Sequence, residues 1–274
     1  MEIERFKRII KYSKKHKDEI DTKVKQFCEE LGIDNEKSFH NLFQLVRELL
    51  AKKEYLLIEL PFKDKEIGAI WYKNDYAGYI LLNTSLPEVN VNFALGHELY
   101  HVFHHKLGAE LKVELYMNEH YYENEEELAA NLFSSALLMP EGNFKFMYKK
   151  FLNESPIKET SFDEYFTVLV KLVNYFKAPY MAVLLRCYEL GLLADGEFLE
   201  KFIDVSAGAV RDEFVRLWYD IRILEATKKD DYEGLLSRVR LDGWRYVEEG
   251  YFNERALNKA LGNMEALYNE IKGD

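Results

Sequence analysis

The chain has 274 residues, 48% of them hydrophobic, with 19 Tyr and 18 Phe, a composition that supports a sizeable folded core and excludes a disordered protein. A formal net charge of −11 argues against general affinity for nucleic acid, while leaving room for a local basic patch. Cys28 and Cys187 are the only two cysteines and stand far apart, so neither a disulfide framework nor a thiolate metal site follows, and both are expected to be buried thiols.

From about Ile3 to Lys53 apolar residues recur at helical spacing, including Phe6, Ile9, Ile10, Ile20, Val24, Phe27, Leu42, Val46 and Leu49. Two or three amphipathic helices are expected, with a stop and restart at Gly32 to Asp34. The Lys-rich first turns read as a solvated face, and no recognition helix with clustered basic and amide side chains is visible. The opening residues are charged throughout and no apolar run is long enough to cross a bilayer, so a cytoplasmic protein is expected.

Tyr55 to Leu60, Ile67 to Tyr72 and Tyr79 to Leu82 read as strands of a small antiparallel sheet, with a turn at Lys73 to Tyr76. Asn83 to Pro87 breaks the sheet and leads into a helix that runs to about Lys106 and stops at Gly108. Ala109 to Glu123 is a polar, Tyr-rich connection. A second strong helix begins near Asn124 and is closed by Met139-Pro140. Beyond Glu141, helical patterns lie at Tyr165 to Phe176, Tyr180 to Leu192, Phe198 to Phe202, Val210 to Ile223 and Tyr251 to Ile271. Lys177 to Pro179, Asp195-Gly196 and Asp242-Gly243 mark turns, and Arg238 to Val247 is ambiguous between strand and helix.

One stretch dictates a chemistry: His97-Glu98-Leu99-Tyr100-His101. On a helix, residues four apart share a face, so His97 and His101 can offer imidazole nitrogens to a single metal ion. Glu98 is one step round and can reach a water beside that ion without ligating it, as a general base does in zinc hydrolases. A catalytic zinc site takes a third protein ligand. His104 lies roughly 10 Å along the helix from His97 and cannot close on the same ion. The spacing with Gly at 104 and His at 107 is also absent, since the chain has His104 and Leu107. His105 and His120 have no fixed geometry, which leaves Glu125, Glu126 or Glu127 on the next helix. Ala130, Phe133, Leu137 and Leu138 continue the face of Glu127, whereas Glu125 and Glu126 fall toward solvent or the helix start. A carboxylate at the top of a buried stripe needs a partner, and a zinc ion supplies one. Tyr100, His104, His120 and Tyr121 are the candidate donors to an oxyanion.

Phe93-Ala94-Leu95-Gly96-His97-Glu98-Leu99-Tyr100-His101, with Glu127-x-x-Ala130-Asn131-x-Phe133 and Leu137-Leu138-Met139-Pro140 after it, resembles the ImmA/IrrE family of metallopeptidases. Tyr79 to Asn83 is similar to that family's strand ending in Asn, and Tyr180 to Leu193 has a looser likeness to a later helix. Tyr100 stands where the family most often has Gly, and Ser134 where Ala is common. The resemblance implies zinc held by His97, His101 and Glu127, with Mn2+ or Fe2+ as other candidate ions, and Glu98 as catalytic acid and base. It also implies cleavage of a helix-turn-helix transcriptional repressor. The expected fold is α+β, mostly helical, with a small antiparallel sheet packed on the metal-binding helices in a zincin-like core at 54–145. A helical region at 1–53 and another of unread role at 146–274 flank it. The expected function is a zinc-dependent endopeptidase acting on a protein partner, with no membrane and no direct nucleic-acid partner. The competing expectation is a catalytically silent module of the same fold that binds a regulatory protein or peptide.

Overall fold

In the computed structural model, which describes residues 3–34, 42–73, 78–104, 112–115, 124–153, 161–193 and 198–273, the chain opens with one long helix, α1 (Ile3–Leu31). Phe6, Ile9, Ile10, Ile20, Val24, Phe27 and Cys28 form its buried stripe, so packing rather than propensity holds it. Gly32 ends it at φ +67°, a left-handed conformation that suits glycine. The shorter α2 (Leu42–Lys52) then leads into the sheet.

The strands are β1 (Tyr55–Leu60), β2 (Ile67–Lys73), β3 (Gly78–Asn83) and β4 (Lys112–Leu115), in the spatial order β1-β3-β2-β4. β2 is antiparallel to both β3 and β4, but β1 is parallel to β3, with Tyr55 opposite Gly78 and Leu60 opposite Asn83. The sheet is therefore mixed and not antiparallel as expected. The reason is order: β3 inserts between its two predecessors, and the first and third strands of an up-down-up path run the same way. β4 falls in the stretch expected to be a connection; four alternating residues are too short a pattern to stand out from their surroundings.

The remaining elements are helices: α3 (Glu88–His104), α4 (Glu125–Leu138), α5 (Glu141–Asn153), α6 (Phe162–Phe176), α7 (Tyr180–Glu189), α8 (Leu199–Ile203), α9 (Ala207–Arg216), α10 (Tyr232–Glu248) and α11 (Glu254–Lys272). The ambiguous stretch from Arg238 to Val247 lies within α10. The expected turns at Asn74 to Tyr76 and Asp195-Gly196, and the stop at Gly108, lie outside the described residues. Every residue from Phe93 to His101 is buried, so α3 is enclosed on all sides. Cys28 and Cys187 are buried, and burial pushes the Cys28 thiol up to about 11 and the Cys187 thiol upward as well.

Three polar devices fix this arrangement. Asn83 is fully buried and uses its whole amide. Its Nδ2 donates to the carbonyls of Asp64 (2.9 Å) and Ile67 (2.7 Å), and its Oδ1 accepts from the N–H groups of Phe62 (3.1 Å) and Ser85 (2.9 Å). Arg186 on α7 is buried too; its Nε donates to the Met139 carbonyl at the end of α4 (3.2 Å), and it pairs with Glu189 (2.9 Å). The third device is a strap at residues 225–231. The Glu88 N–H donates to the Glu225 carbonyl (3.1 Å), Pro87 bridges Ala226, the Thr84 hydroxyl donates to the Lys229 carbonyl (2.6 Å), and the backbone of Glu59 exchanges hydrogen bonds with Asp231 (3.0 and 2.9 Å). The strap joins the start of α3 to the edge strand β1. Beyond it, Tyr232 and Tyr268 stack at 3.7 Å over a small second core of Ile58, Leu60 and Phe62.

Among the described residues no single helix is long and apolar enough to cross a membrane, while α6 and α7 together reach that composition only across a 110° bend.

Candidate metal centre

The two histidines lie on α3, where nothing interrupts the helix: it follows Pro87, whose carbonyl accepts from the Asn90 and Val91 N–H groups, and carries no proline further on. α4 begins at an Asn124 cap, whose side chain accepts the Glu126 N–H at 3.0 Å. That cap sets Glu125, Glu126 and Glu127 in the first turn, where the helix dipole favours carboxylates. The dipole alone does not account for Glu127, which is only 4% exposed and turned toward α3. α3 and α4 approach closely because Gly96 has no side chain. A Cβ built there would lie 2.5 Å from the Ser134 Oγ, and that hydroxyl donates to the Phe93 carbonyl at 2.7 Å.

His97, His101 and Glu127 converge. The His97 Nε2 lies 3.1 Å from the Glu127 Oε2 and 3.3 Å from the His101 Nε2, and the third edge, His101 Nε2 to Glu127 Oε2, is 3.6 Å. Donors about 2.1 Å from a shared tetrahedral ion sit about 3.4 Å apart, so the three spacings fit one small divalent cation. All three side chains are buried, and their donor atoms form the one His/Cys/Asp/Glu group among the described residues able to hold a metal ion. Glu98, next in sequence to His97, is fully buried and is not one of the trio. Two carboxylates enclosed with two imidazoles make a site that a cation balances.

A second layer orients the imidazoles. The Asn131 Oδ1 lies 3.1 Å from the His97 Nδ1, and the Glu126 Oε1 lies 3.5 Å from the His101 Nδ1. Trp71 of β2 leans over the His101 ring with centroids 6.1 Å apart, and its Nε1 donates to the Tyr55 hydroxyl at 3.3 Å. Glu126, expected toward solvent or the helix start, lies in the first turn of α4, half-buried with its carboxylate beside the His101 ring. The signal for Asn131 was its place four residues after Glu127, on the same face; Glu126 had no such signal.

Tyr100 and His104, the other described candidates, have partners of their own beside the trio. The Tyr100 hydroxyl accepts a hydrogen bond from the Lys23 Nζ (3.0 Å) on α1, and His104 packs against Tyr100 and Phe133. Burial, with Lys23 nearby, holds the His104 imidazole down at about 4, so it is neutral at pH 7. The Tyr100 ring meets the His101 ring nearly edge-on, with centroids 5.6 Å apart. His105, His120 and Tyr121 lie outside the described residues.

A sheet-backed helix carrying two histidines, with an acid donor from the next long helix, is a metallopeptidase-type arrangement. The chain matches the family model of the IrrE N-terminal-like domain, Peptidase_M78, over residues 52–188, half its length, and belongs to that family. No curated protein matches the chain.

Proposed function

We propose that the protein is a zinc-dependent endopeptidase that cuts a helix-turn-helix transcriptional repressor. The observation that carries the reading is the buried His97–His101–Glu127 triangle with edges of 3.1 to 3.6 Å, in a chain of a peptidase family. Two imidazoles and one carboxylate make the donor set of a catalytic zinc site, with Mn2+ and Fe2+ as competitors for the same atoms. When bound, such an ion supplies Lewis acidity toward a peptide carbonyl and an activated water. Glu98, adjacent in sequence to one ligand and enclosed with it, takes the proton from the attacking water and returns it to the leaving amine. Asn131 and Glu126 keep the two rings turned so that both Nε2 atoms face inward.

The test incubates the zinc-loaded chain with a small helix-turn-helix protein, taken from the neighbouring gene if that gene encodes one, and maps fragments by mass. A single cut by the wild type, absent with Glu98→Gln that still holds zinc, is the expected result. Equal cutting by both proteins removes Glu98 from the reaction; stable binding without any cut favours a silent binding module instead.

A further inference from the structure

α1 carries Lys7, Arg8, Lys11, Lys14 and Lys15 on the face opposite its buried stripe, and all five are exposed. Their spacing lines them along a little over two turns, about 12 Å of helix rise. The later lysines of the helix are engaged: Lys17 pairs with Asp21 and Glu141, and Lys23 with Glu19. Among the described residues no ion pair engages any of the five. Like charges four positions apart, as in Lys7 with Lys11 and Lys11 with Lys15, destabilise a helix on their own account. The charge is also segregated, since the first 17 residues hold seven Lys or Arg against two Glu in a chain of net charge −11.

We propose that this face of α1 binds the phosphate backbone of duplex DNA. Charge complementarity calls for a polyanion, and the make-up of the stripe selects among polyanions. A protein partner would be met by an apolar or aromatic anchor at the centre of the surface, and the stripe has none. A membrane would need an apolar face to insert, and the apolar face of α1 is buried in the core. Phosphates need only Lys and Arg. The stripe contains no Asn, Gln or aromatic side chain to read base edges, so binding is independent of sequence. The acidic remainder of the molecule repels phosphate and confines contact to α1. Tyr12, on the flank of the stripe, donates its hydroxyl to the Glu125 carbonyl (2.9 Å) at the start of α4. DNA on α1 thus lies on the outer side of the helix that supports the metal centre. This brings the site to proteins that themselves sit on DNA, a link that rests on the function proposed above; the binding itself does not.

The experiment titrates the full chain onto a fluorescein-labelled 24-base-pair duplex of mixed sequence and follows polarisation between 50 and 200 mM NaCl. Four to five phosphate contacts give a slope of log affinity against log salt of about −4, or roughly a 150- to 500-fold loss over that range. Lys11→Gln with Lys14→Gln and Lys15→Gln should flatten the slope to about −1.3, because each contact removed takes away ~0.9. Lys149→Glu with Lys150→Glu on exposed positions of α5 should leave binding unchanged. The pair Lys7→Gln with Arg8→Gln tests the stripe from its other end should the triple variant fail to fold by circular dichroism. No binding at 50 mM NaCl, or a slope unaltered by the stripe variants, overturns the proposal. Displacement by poly-glutamate as effective as by unlabelled duplex also overturns it, in favour of an acidic protein partner.

Discussion

The Oδ1 of Asn131 stands 3.1 Å from the Nδ1 of His97, so the ring that presents its Nε2 to Glu127 is held from behind by a neutral amide one helical turn from that same glutamate. One face of α4 thus supplies both a donor and the support for its neighbour. Asn131→Leu should lower zinc affinity about 10- to 100-fold, the usual effect of losing such a support. Competition with a chromophoric chelator measures it, and Asn131→Asp, which still accepts from Nδ1, should recover most of the loss. An affinity unchanged in Asn131→Leu would show that the ring is oriented by its packing alone.

Metal loading should be visible in stability. At a zinc concentration about 1,000 times Kd, binding to the folded chain adds roughly 4 kcal/mol, which raises Tm by about 8 to 16 °C for a chain of this size. Scanning calorimetry with and without a chelator measures the shift. His97→Ala should abolish it and Glu98→Gln should keep it, because only the first removes a donor. Ligation needs deprotonated imidazoles, so the shift should shrink as pH is lowered.

The contact between Gly96 and Ser134 sets the separation of the two ligand-bearing helices. Gly96→Ala brings a methyl to 2.5 Å from an Oγ that is itself committed to the Phe93 carbonyl, and overpacking of this kind costs about 1 to 3 kcal/mol. Ser134→Ala removes that oxygen and leaves the Cβ at 3.2 Å. Chemical denaturation of the four members of the cycle should show favourable coupling, the double variant being more stable than the sum of the single changes. Strict additivity would mean that the helices yield without strain.

His104 gives an acid limb with a definite sign. Unfolded, its imidazole takes a proton near pH 6.5; folded, burial delays this to about 4. Between those values the unfolded chain binds more protons, so folding stability falls as pH drops through the window. His104→Gln should flatten the pH dependence of the denaturation midpoint between about pH 6.5 and 4. An unchanged slope would assign the acid limb to other groups.

The group that could hold a metal ion was legible because its parts obey local geometry. His97 and His101 are four apart on one helix, and Glu127 heads a face that Ala130, Phe133 and Leu137 continue, so spacing alone orders them. Three of the four strands were legible, but β4 and the pairing were not: that β3 would insert beside β1 is decided by contacts across the chain and not by alternation within a strand. That Glu126 reaches the His101 ring depends on how α4 sits against α3, which no window of sequence displays.

The strap at residues 225–231 has a consequence for the order in which the molecule is made. The first turn of α3 and the open edge of β1 are gripped by a segment translated some 140 residues later, so this grip cannot close until residue 231 has left the ribosome. Synthesis therefore reaches the helix of His97 and His101 well before the piece that braces its entrance, and the emerging chain stays unbraced there while the residues in between are made.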